Sequence, residues 1–367
     1  MKIVVTGSQG FIGKNLCVFL REQQHEVLEV HRETDRREIL SYLSVADFVF
    51  HLAGTNRPIN PADFQLVNVD LTRFILESLS YSNRSVPLVL TSSTQAEEDN
   101  DYGFSKCAAE KIVQSYSVAT GAASYIYRLP NVFGKWCKPN YNSFVATFCN
   151  NVLNGIDILV HDPSALVRLV YIDDVCASFL ELLDGKVTSG FHEVPNEFNT
   201  TVGEVANIIS SFKSSRTTLM TERVGTRLTR ALYSTYLSHT PPGQFNYSVP
   251  SYADERGVFC EMLKTKDSGQ VSFFTAHPGI TRGGHYHHTK NEKFIVIKGE
   301  ALFKFENIIT GQRHELKVTG SNLEIVETIP GWAHDITNSG DEELIVMLWA
   351  NEIFDRQRPD TITKELF

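Results

Sequence analysis

The sequence predicts a doubly wound α/β domain followed by an all-β sandwich or barrel. Up to about residue 212, short apolar β-branched runs alternate with runs of helical period, which is typical of a parallel sheet covered by helices. From about residue 254 onward, strand-like runs follow one another at short spacing with almost no helical pattern. The length of 367 residues fits two domains, which we expect at residues 1–243 and 244–367.

The elements of the first half follow from their patterns. Strands of the buried type are predicted at residues 3–6, 27–31, 48–53, 88–92, 124–129 and 167–171. Helices with a 3.6-residue apolar period are predicted at residues 11–22, 64–79 and 103–116. A further helix begins near Asp173 and Asp174, because carboxylates suit a helix N-terminus. Residues 213–250 are polar and rich in turn residues, and we interpret them as the tail of this domain plus a linker.

The second half contains five clear strand patterns. They lie at residues 271–276, 294–298, 301–305, 322–326 and 344–349. Because turn residues separate them and helical periods are almost absent, this half is predicted to be all-β.

Composition excludes some classes of function. The net charge of −9 argues against a nucleic-acid footprint. The chain has no apolar run of about 18 residues and no signal-peptide core at its start. Its six cysteines are scattered, without a C-x-x-C pair. We therefore expect a cytoplasmic protein that binds neither nucleic acid nor membranes.

Three glycines follow the first strand and open the first helix. They are Gly7, Gly10 and Gly13, and Phe11 begins the helix between them. Glycine lets the main chain turn tightly and approach a pyrophosphate, and the helix N-terminus offers N–H groups to the anion. The motif predicts a dinucleotide site at these four residues, and the alternative is a glycine-rich turn without a ligand.

The end of the second strand bears on which dinucleotide binds. Where NAD-binding proteins place an acidic residue against the ribose hydroxyls, this chain has His31 and Arg32. A 2′-phosphate is the natural partner of this pair, so the sequence predicts NADPH. The alternative is a solvated loop arginine, since Glu29 and Glu33 are close in sequence.

A tyrosine and a lysine share one face at the start of the third predicted helix. Tyr102 and Lys106 are four residues apart. A nearby cation stabilises tyrosinate, so Tyr102 is suited to donate a proton to a carbonyl oxygen that receives a hydride. Ser93 or Thr94, at the carboxyl end of the fourth strand, is positioned to hydrogen-bond the same oxygen.

Together with His51-Leu52-Ala53-Gly54 after the third strand and Pro130-Asn131-Val132-Phe133-Gly134 after the fifth, these motifs resemble the extended short-chain dehydrogenase/reductase family. The resemblance implies a Rossmann-type fold and nucleotide-diphosphate sugar substrates. It implies that Ser93, Tyr102 and Lys106 are catalytic, with Thr94 as the open alternative to Ser93. It also implies cofactor contacts from Leu52, Ala53, Tyr102 and Lys106.

A second candidate site lies in the all-β half. His285 and His287 would share one face of a strand, Glu292 begins the next strand region, and His334 comes from a later strand. Three imidazoles and one carboxylate suit zinc or another divalent transition metal, and zinc is our prediction. The alternative is a set of polar histidines on a strand edge.

The spacing of these ligands resembles the cupin family, which implies a jelly-roll barrel. Asp254-Glu255-Arg256-Gly257 and Arg282-Gly283-Gly284-His285-Tyr286 also resemble the nucleotide-sugar 3,5-epimerase branch of cupins. In that branch, a histidine at the place of His285 is a base and no metal is bound. We expect His285 to be a metal ligand here, which leaves the base of the barrel unassigned.

The whole chain resembles a family of bifunctional capsular-polysaccharide enzymes, in which such a dehydrogenase is fused to a metal-binding cupin. This resemblance implies a route to UDP-N-acetyl-L-fucosamine. The cupin would epimerise C3 of a UDP-2-acetamido-2,6-dideoxy-4-hexulose, and the dehydrogenase would reduce C4 with NADPH to a UDP-N-acetyl-talosamine-type product. We expect a homodimer. The alternative is a nucleotide-sugar 4-epimerase that retains NAD and carries a structural or sugar-sensing cupin, against which Arg32 argues.

Overall fold

The computed structural model describes residues 1–81, 84–225, 227–249, 252–254, 257–259, 263–265, 269–352 and 357–367. They form two compact units, Met1–Ser143 with Val167–Asn199, and Phe144–Leu166 with Thr200–Phe367. The expected boundary between residues 243 and 244 differs from this division and, as a domain boundary, stays a prediction.

The elements are numbered along the chain. In the described residues the helices are α1 (Phe11–Glu22), α2 (Arg36–Val45), α3 (Leu71–Tyr81), α4 (Asp101–Thr120), α5 (Phe144–Leu153), α6 (Ile172–Glu181), α7 (Val202–Lys213), α8 (Ser215–Thr218) and α9 (Arg227–Ser238). None of these helices has the length and apolar character that crossing a lipid bilayer requires. The first nine strands are β1 (Lys2–Thr6), β2 (Glu26–Val30), β3 (Phe48–His51), β4 (Leu88–Ser93), β5 (Ser124–Leu129), β6 (Asn131–Phe133), β7 (Leu166–Tyr171), β8 (Gly190–His192) and β9 (Glu197–Thr201). The later strands are β10 (Met220–Thr221), β11 (Asn246–Ser248), β12 (Tyr252–Asp254), β13 (Gly257–Phe259), β14 (Lys264–Thr265), β15 (Gln270–Ala276), β16 (Thr281–Tyr286), β17 (Glu292–Lys298), β18 (Glu300–Asn307), β19 (Arg313–Thr319), β20 (Glu324–Glu327), β21 (Trp332–Asn338), β22 (Leu344–Ala350) and β23 (Ile362–Thr363).

The first unit contains a six-stranded parallel sheet in the order β2-β1-β3-β4-β5-β8. On one face, Val49 and Leu90 of the sheet pack in one apolar cluster with Ile75 of α3 and Val113 of α4. The doubly wound parallel sheet predicted from the sequence is therefore confirmed. Because the strands are parallel, the carboxyl ends of β1, β3 and β4 meet at one edge, where the residues that follow them come together.

Two segments differ from the sequence prediction. The helix predicted at residues 64–79 begins as a π-helix, Phe64–Asp70, and becomes α-helical only at Leu71. The interpretation of residues 213–250 as a turn-rich domain tail plus a linker is wrong over α9, a regular helix that buries Leu232, Tyr233 and Leu237. Its Ser and Thr residues suggest a turn in isolation, but tertiary burial overrides that preference.

The second unit contains two antiparallel five-stranded sheets, in the orders β11-β20-β17-β22-β15 and β19-β18-β21-β16-β23. Their apolar core combines Phe294 and Val346 from the first sheet with Phe303 and Ile336 from the second. The core therefore lies between the two sheets, and the all-β prediction for this half is confirmed.

Candidate active site and candidate metal centre

The glycine loop joins β1 to α1 by a close approach of main chains. Gly7 has a φ of +68°, and a Cβ atom on it would lie 2.8 Å from the backbone nitrogen of Ala53. A Cβ atom on Gly13 would lie 2.2 Å from the carbonyl oxygen of Gly7. Side chains at both positions would therefore force the loop apart. Gly10 precedes α1 and has no side chain to cap the first turn, which leaves N–H groups of that turn for an anionic ligand.

A cleft of about 780 Å³ opens at this loop. Most of the predicted site residues of the first unit line it, namely Gly7, Gly10, Phe11, Gly13, Leu52, Ser93, Tyr102 and Lys106. Thr94 lines it as well. Ala53 does not belong to the lining, but its backbone lies against Gly7 in the glycine loop. His31 and Arg32 follow β2 as expected, with Arg32 exposed, but neither belongs to the cleft lining.

Ser93 and Tyr102 are joined by a side-chain hydrogen bond. Ser93 is the last residue of β4, and Thr94 starts a 3-10 turn, Thr94–Glu97. The helix α4 packs tightly on this turn, because a Cβ atom on Gly103 would lie 2.4 Å from the carbonyl oxygen of Gln95. This close packing brings Tyr102 to Ser93, a role for Gly103 that the sequence analysis missed. Burial raises the pKa of Tyr102, and the hydrogen bond with Ser93 opposes the rise, so the phenol is protonated at neutral pH.

Lys106 is buried, and its Nζ atom donates to the carbonyl oxygen of Thr91 at 2.9 Å. The same atom lies 5.9 Å from the centre of the Tyr102 ring. Burial lowers the pKa of Lys106 to about 8, and the negative charge of Glu110 opposes this effect. The cation next to Tyr102 is therefore sensitive to pH within the range in which enzymes work.

Glu110 is buried one turn beyond Lys106 on α4 and accepts three hydrogen bonds from two partners. Ser92 donates to its Oε1 at 2.5 Å, and Arg128 donates to its two carboxylate oxygens at 3.0 and 2.8 Å. Arg128 also pairs with the exposed Glu97. These contacts fix the position of the Glu110 carboxylate beneath the site.

Asn68 supports the cleft from the π-helix, and sequence reasoning also missed it. Its Oδ1 accepts from the backbone N–H of Thr55 at 2.8 Å, and its Nδ2 donates to Ser105 Oγ at 2.9 Å. It thereby joins the loop after β3 to the helix that carries Tyr102 and Lys106. A single asparagine within a helical apolar pattern carries no signal that would have identified it.

The four predicted metal ligands converge in the second unit. One ligand atom from each of His285, His287, Glu292 and His334 lies within 4.8 Å of all the others. His285 and His334 are direct partners in the register of β16 and β21, and Glu292 is the first residue of β17. His287 lies just beyond the end of β16. Three imidazoles and a carboxylate at this spacing fit one divalent ion of the zinc type after small side-chain adjustments.

The charge states of these groups suit ligation. Burial and the neighbouring His334 and His287 lower the pKa of His285 to about 3, and burial also lowers the pKa of His334. Burial would raise the pKa of Glu292, but contacts with His287 and His334 hold it well below its usual value. His285 and His334 are therefore favoured as neutral imidazoles and Glu292 as a carboxylate, the forms that bind a metal.

Other groups around the barrel site bear on its chemistry. Lys290 Nζ lies 2.8 Å from Glu292 Oε1, a contact that the sequence analysis did not foresee. Glu255 and Arg256, part of the motif that resembles 3,5-epimerases, lie outside the described residues.

Two family models match the two halves of the chain. Residues 3–194 match the NAD dependent epimerase/dehydratase family, and residues 252–362 match the polysaccharide biosynthesis C-terminal domain. The chain belongs to the NAD dependent epimerase/dehydratase family. Membership in this family implies a nicotinamide cofactor, which fits the glycine loop and the cleft.

Relatives of the chain match both halves together. A protein of Pseudomonas aeruginosa, UDP-2-acetamido-2,6-beta-L-arabino-hexul-4-ose reductase, is 53% identical over 363 residues, which is 98% of each chain. The structure of the capsular polysaccharide assembling protein CapF from Staphylococcus aureus is 41% identical, with a TM-score of 0.69 and complete coverage of both chains. UDP-N-acetylglucosamine 4-epimerase from Bacillus cereus is 25% identical with a TM-score of 0.52, and the match covers 57% of this chain and 81% of the epimerase. The whole-chain similarity to CapF confirms the predicted combination of a Rossmann-type domain with a cupin-like barrel.

Proposed function

We propose that this chain reduces the C4 ketone of a UDP-2-acetamido-2,6-dideoxy-4-hexulose with NADPH and epimerises C3 of the same sugar in its C-terminal barrel. The observation that carries the proposal is the convergence of Ser93, Tyr102 and Lys106 in the cleft beside the glycine loop. The reductase of Pseudomonas aeruginosa supports the choice of substrate.

The side chains of the cleft supply the proton for the reduction. When bound, the reduced nicotinamide supplies the hydride that C4 receives. Tyr102 donates its phenolic proton to the ketone oxygen, which becomes the hydroxyl of the talosamine-type product. Ser93 hydrogen-bonds Tyr102, and it is positioned to direct the proton donor toward the same oxygen. Lys106 stabilises the tyrosinate that remains, because its ammonium group lies beside the ring.

The preference for NADPH over NADH is part of the proposal. Its support is the His31-Arg32 pair after β2, where a carboxylate would select NAD. Arg32 is exposed, so its guanidinium is accessible to a 2′-phosphate.

Epimerisation is assigned to the barrel because it needs a separate site and precedes reduction. A proton on C3 is acidic only while C4 is a ketone, since the carbanion is delocalised onto the ketone oxygen. When bound, a divalent ion, for which zinc is our proposal, supplies the Lewis acidity that polarises such an oxygen. His285, His287, Glu292 and His334 would hold it. Reduction then draws forward an epimer that is poorly populated at equilibrium. The reduced product of the proposal would lie on a route to UDP-N-acetyl-L-fucosamine.

The test separates the two steps. The 4-keto sugar is incubated with the protein in heavy water without cofactor, and deuterium is located by NMR. NADPH is then added, and its oxidation is followed. We expect deuterium at C3 without cofactor and stoichiometric NADPH oxidation afterwards. Absence of oxidation would contradict the reductase. In a separate incubation, interconversion of a UDP-2-acetamido sugar with its C4-hydroxyl epimer without added cofactor would instead favour a 4-epimerase that retains NAD.

We also propose a homodimer in which the barrel faces a second copy. The edge strand β15 presents Val271 and Phe273, which are 55% and 69% exposed, and Met347 of β22 is the cross-strand partner of Phe273. An exposed apolar strip on an edge strand is suited to self-association.

Light scattering tests this interface. It should give a dimer for the wild type and a monomer for Phe273→Glu, while Val118→Glu, at an exposed position on α4, should remain dimeric. A wild-type monomer, or a Phe273→Glu dimer, would contradict this interface.

A further inference from the structure

Asp360, in the segment before β23, contacts the loop between two of the predicted metal ligands. Its Oδ1 accepts from the backbone N–H of His288 at 2.8 Å. Its Oδ2 accepts from the backbone N–H groups of Thr289 and Lys290, both at 2.6 Å. The carboxylate is only 15% exposed, and it thereby fixes three consecutive N–H groups of one loop.

The main-chain carbonyl of the same residue contacts a ligand directly. The Nδ1 atom of His287 lies 2.5 Å from the carbonyl oxygen of Asp360. A carbonyl oxygen only accepts hydrogen bonds, so Nδ1 carries the proton. The other ring nitrogen, Nε2, lies 3.3 Å from Glu292 Oε2 inside the ligand cluster, so it is the nitrogen that faces the predicted metal position.

A helix of the same unit holds this arrangement from behind. Arg230 of α9 pairs with Glu352 at 2.6 Å, approaches Asp360 Oδ2 at 4.0 Å and hydrogen-bonds Thr289 Oγ1. Ser234, one turn along α9, donates to the carbonyl oxygen of Thr289 at 2.9 Å. The loop is thus fixed on both sides, and Asp360 is the residue that contacts both the loop and a ligand.

We propose that Asp360 is a positioning residue of the metal centre, whose carbonyl fixes the tautomer of His287 and whose carboxylate fixes the loop between His287 and Glu292. The inference rests on the metal centre of the proposed function. Hydrogen-bond partners behind metal ligands generally set ligand orientation, and their loss weakens metal binding by about 10- to 100-fold.

The test uses Co²⁺ as the probe with the full-length protein freed of metal. Co²⁺ affinity and the visible absorption bands of the complex are measured for the wild type, Asp360→Ala and Asp360→Asn. We expect affinity to fall by about 10- to 100-fold in Asp360→Ala, with altered absorption bands that report changed ligand geometry. Asp360→Asn keeps the size of the side chain and carries the test if the alanine variant does not fold. The control is Glu306→Gln, which removes a carboxylate that binds Lys364 at 2.9 Å in the same C-terminal segment.

A second measurement does not depend on a variant of Asp360. Nitrogen-15 NMR of histidine-labelled protein, with the His287 signals assigned from His287→Gln, should show His287 protonated at Nδ1. An unprotonated Nδ1 in the metal-free protein, or Co²⁺ binding by both Asp360 variants that equals the wild type, would overturn the positioning role. A wild type that binds no Co²⁺ would instead overturn the metal centre itself and the positioning role with it.

Discussion

Lys106 Nζ lies 5.9 Å from the centre of the Tyr102 ring, one helical turn away on α4. Lys106 is also held by the sheet, because its Nζ atom donates to the carbonyl oxygen of Thr91 in the neighbouring strand β4. The sheet therefore fixes the cation, and the helix fixes the phenol relative to it. This relationship supports Tyr102 as the proposed proton donor, so its loss should be the most informative change.

Tyr102→Phe should lower NADPH oxidation by about 10² to 10⁴-fold, the usual effect of removing a general acid. Deuterium exchange at C3 should persist, because the variant leaves the barrel unchanged. The matched control is Tyr116→Phe, which removes from the same helix a phenol that donates to the carbonyl oxygen of Val86. NADPH oxidation at the wild-type rate in Tyr102→Phe would reject the assignment.

The pH dependence of reduction should follow Lys106. Burial lowers its pKa to about 8, and Glu110 opposes this effect. The lysine is charged below this pKa, so kcat/KM for reduction should fall as the pH rises through about 8 and the cation beside Tyr102 is lost. Tyr102 contributes no loss in that range, since burial raises its pKa.

Glu110→Gln tests the origin of this pH dependence. Removing the negative charge that favours the charged lysine should move the fall in kcat/KM to lower pH. Glu97→Gln is the control, because Glu97 also pairs with Arg128 but is exposed. A profile that stays flat above pH 8, or a shift to higher pH in Glu110→Gln, would show that Lys106 does not govern the rate.

The sequence predicted the residues of the ligand cluster and of the cleft better than it predicted the residues that support them from other segments. The glycine loop and the metal ligands depend on spacing within short segments, which periodicity and register determine. The choice between Ser93 and Thr94 as the hydroxyl that contacts the substrate depends on where β4 ends. Spacing alone could not decide it. Gly103 and Asp360 act through contacts with distant segments, so they carry no local pattern. The polar composition of α9 conceals a helix that becomes stable only when its apolar face is buried.

Arg32→Ala should weaken NADPH binding by about tenfold or more and leave NADH binding nearly unchanged. The physical reason is the loss of a charge-assisted hydrogen bond to the 2′-phosphate, which NADH lacks. Nicotinamide fluorescence titrations measure both affinities. Arg73→Ala, which removes an exposed arginine paired with Asp70, should change neither. Equal losses for the two cofactors in Arg32→Ala would remove Arg32 from the site.

Loss of one metal ligand should separate the two activities. His287→Gln removes one of the four ligands, so bound zinc, measured by atomic emission, should fall well below one ion per chain, and deuterium exchange at C3 should fall with it. NADPH binding should persist, because the glycine loop belongs to the other compact unit.

Zinc should also stabilise the wild type against thermal unfolding, by about 2.7 kcal/mol at roughly 100 times its dissociation constant. This gain in stability should be reduced in His287→Gln. His277→Gln is the control, since His277 is exposed and outside the ligand cluster. Full C3 exchange by metal-free wild-type protein would show that the ion has no part in epimerisation, even if it stabilises the barrel.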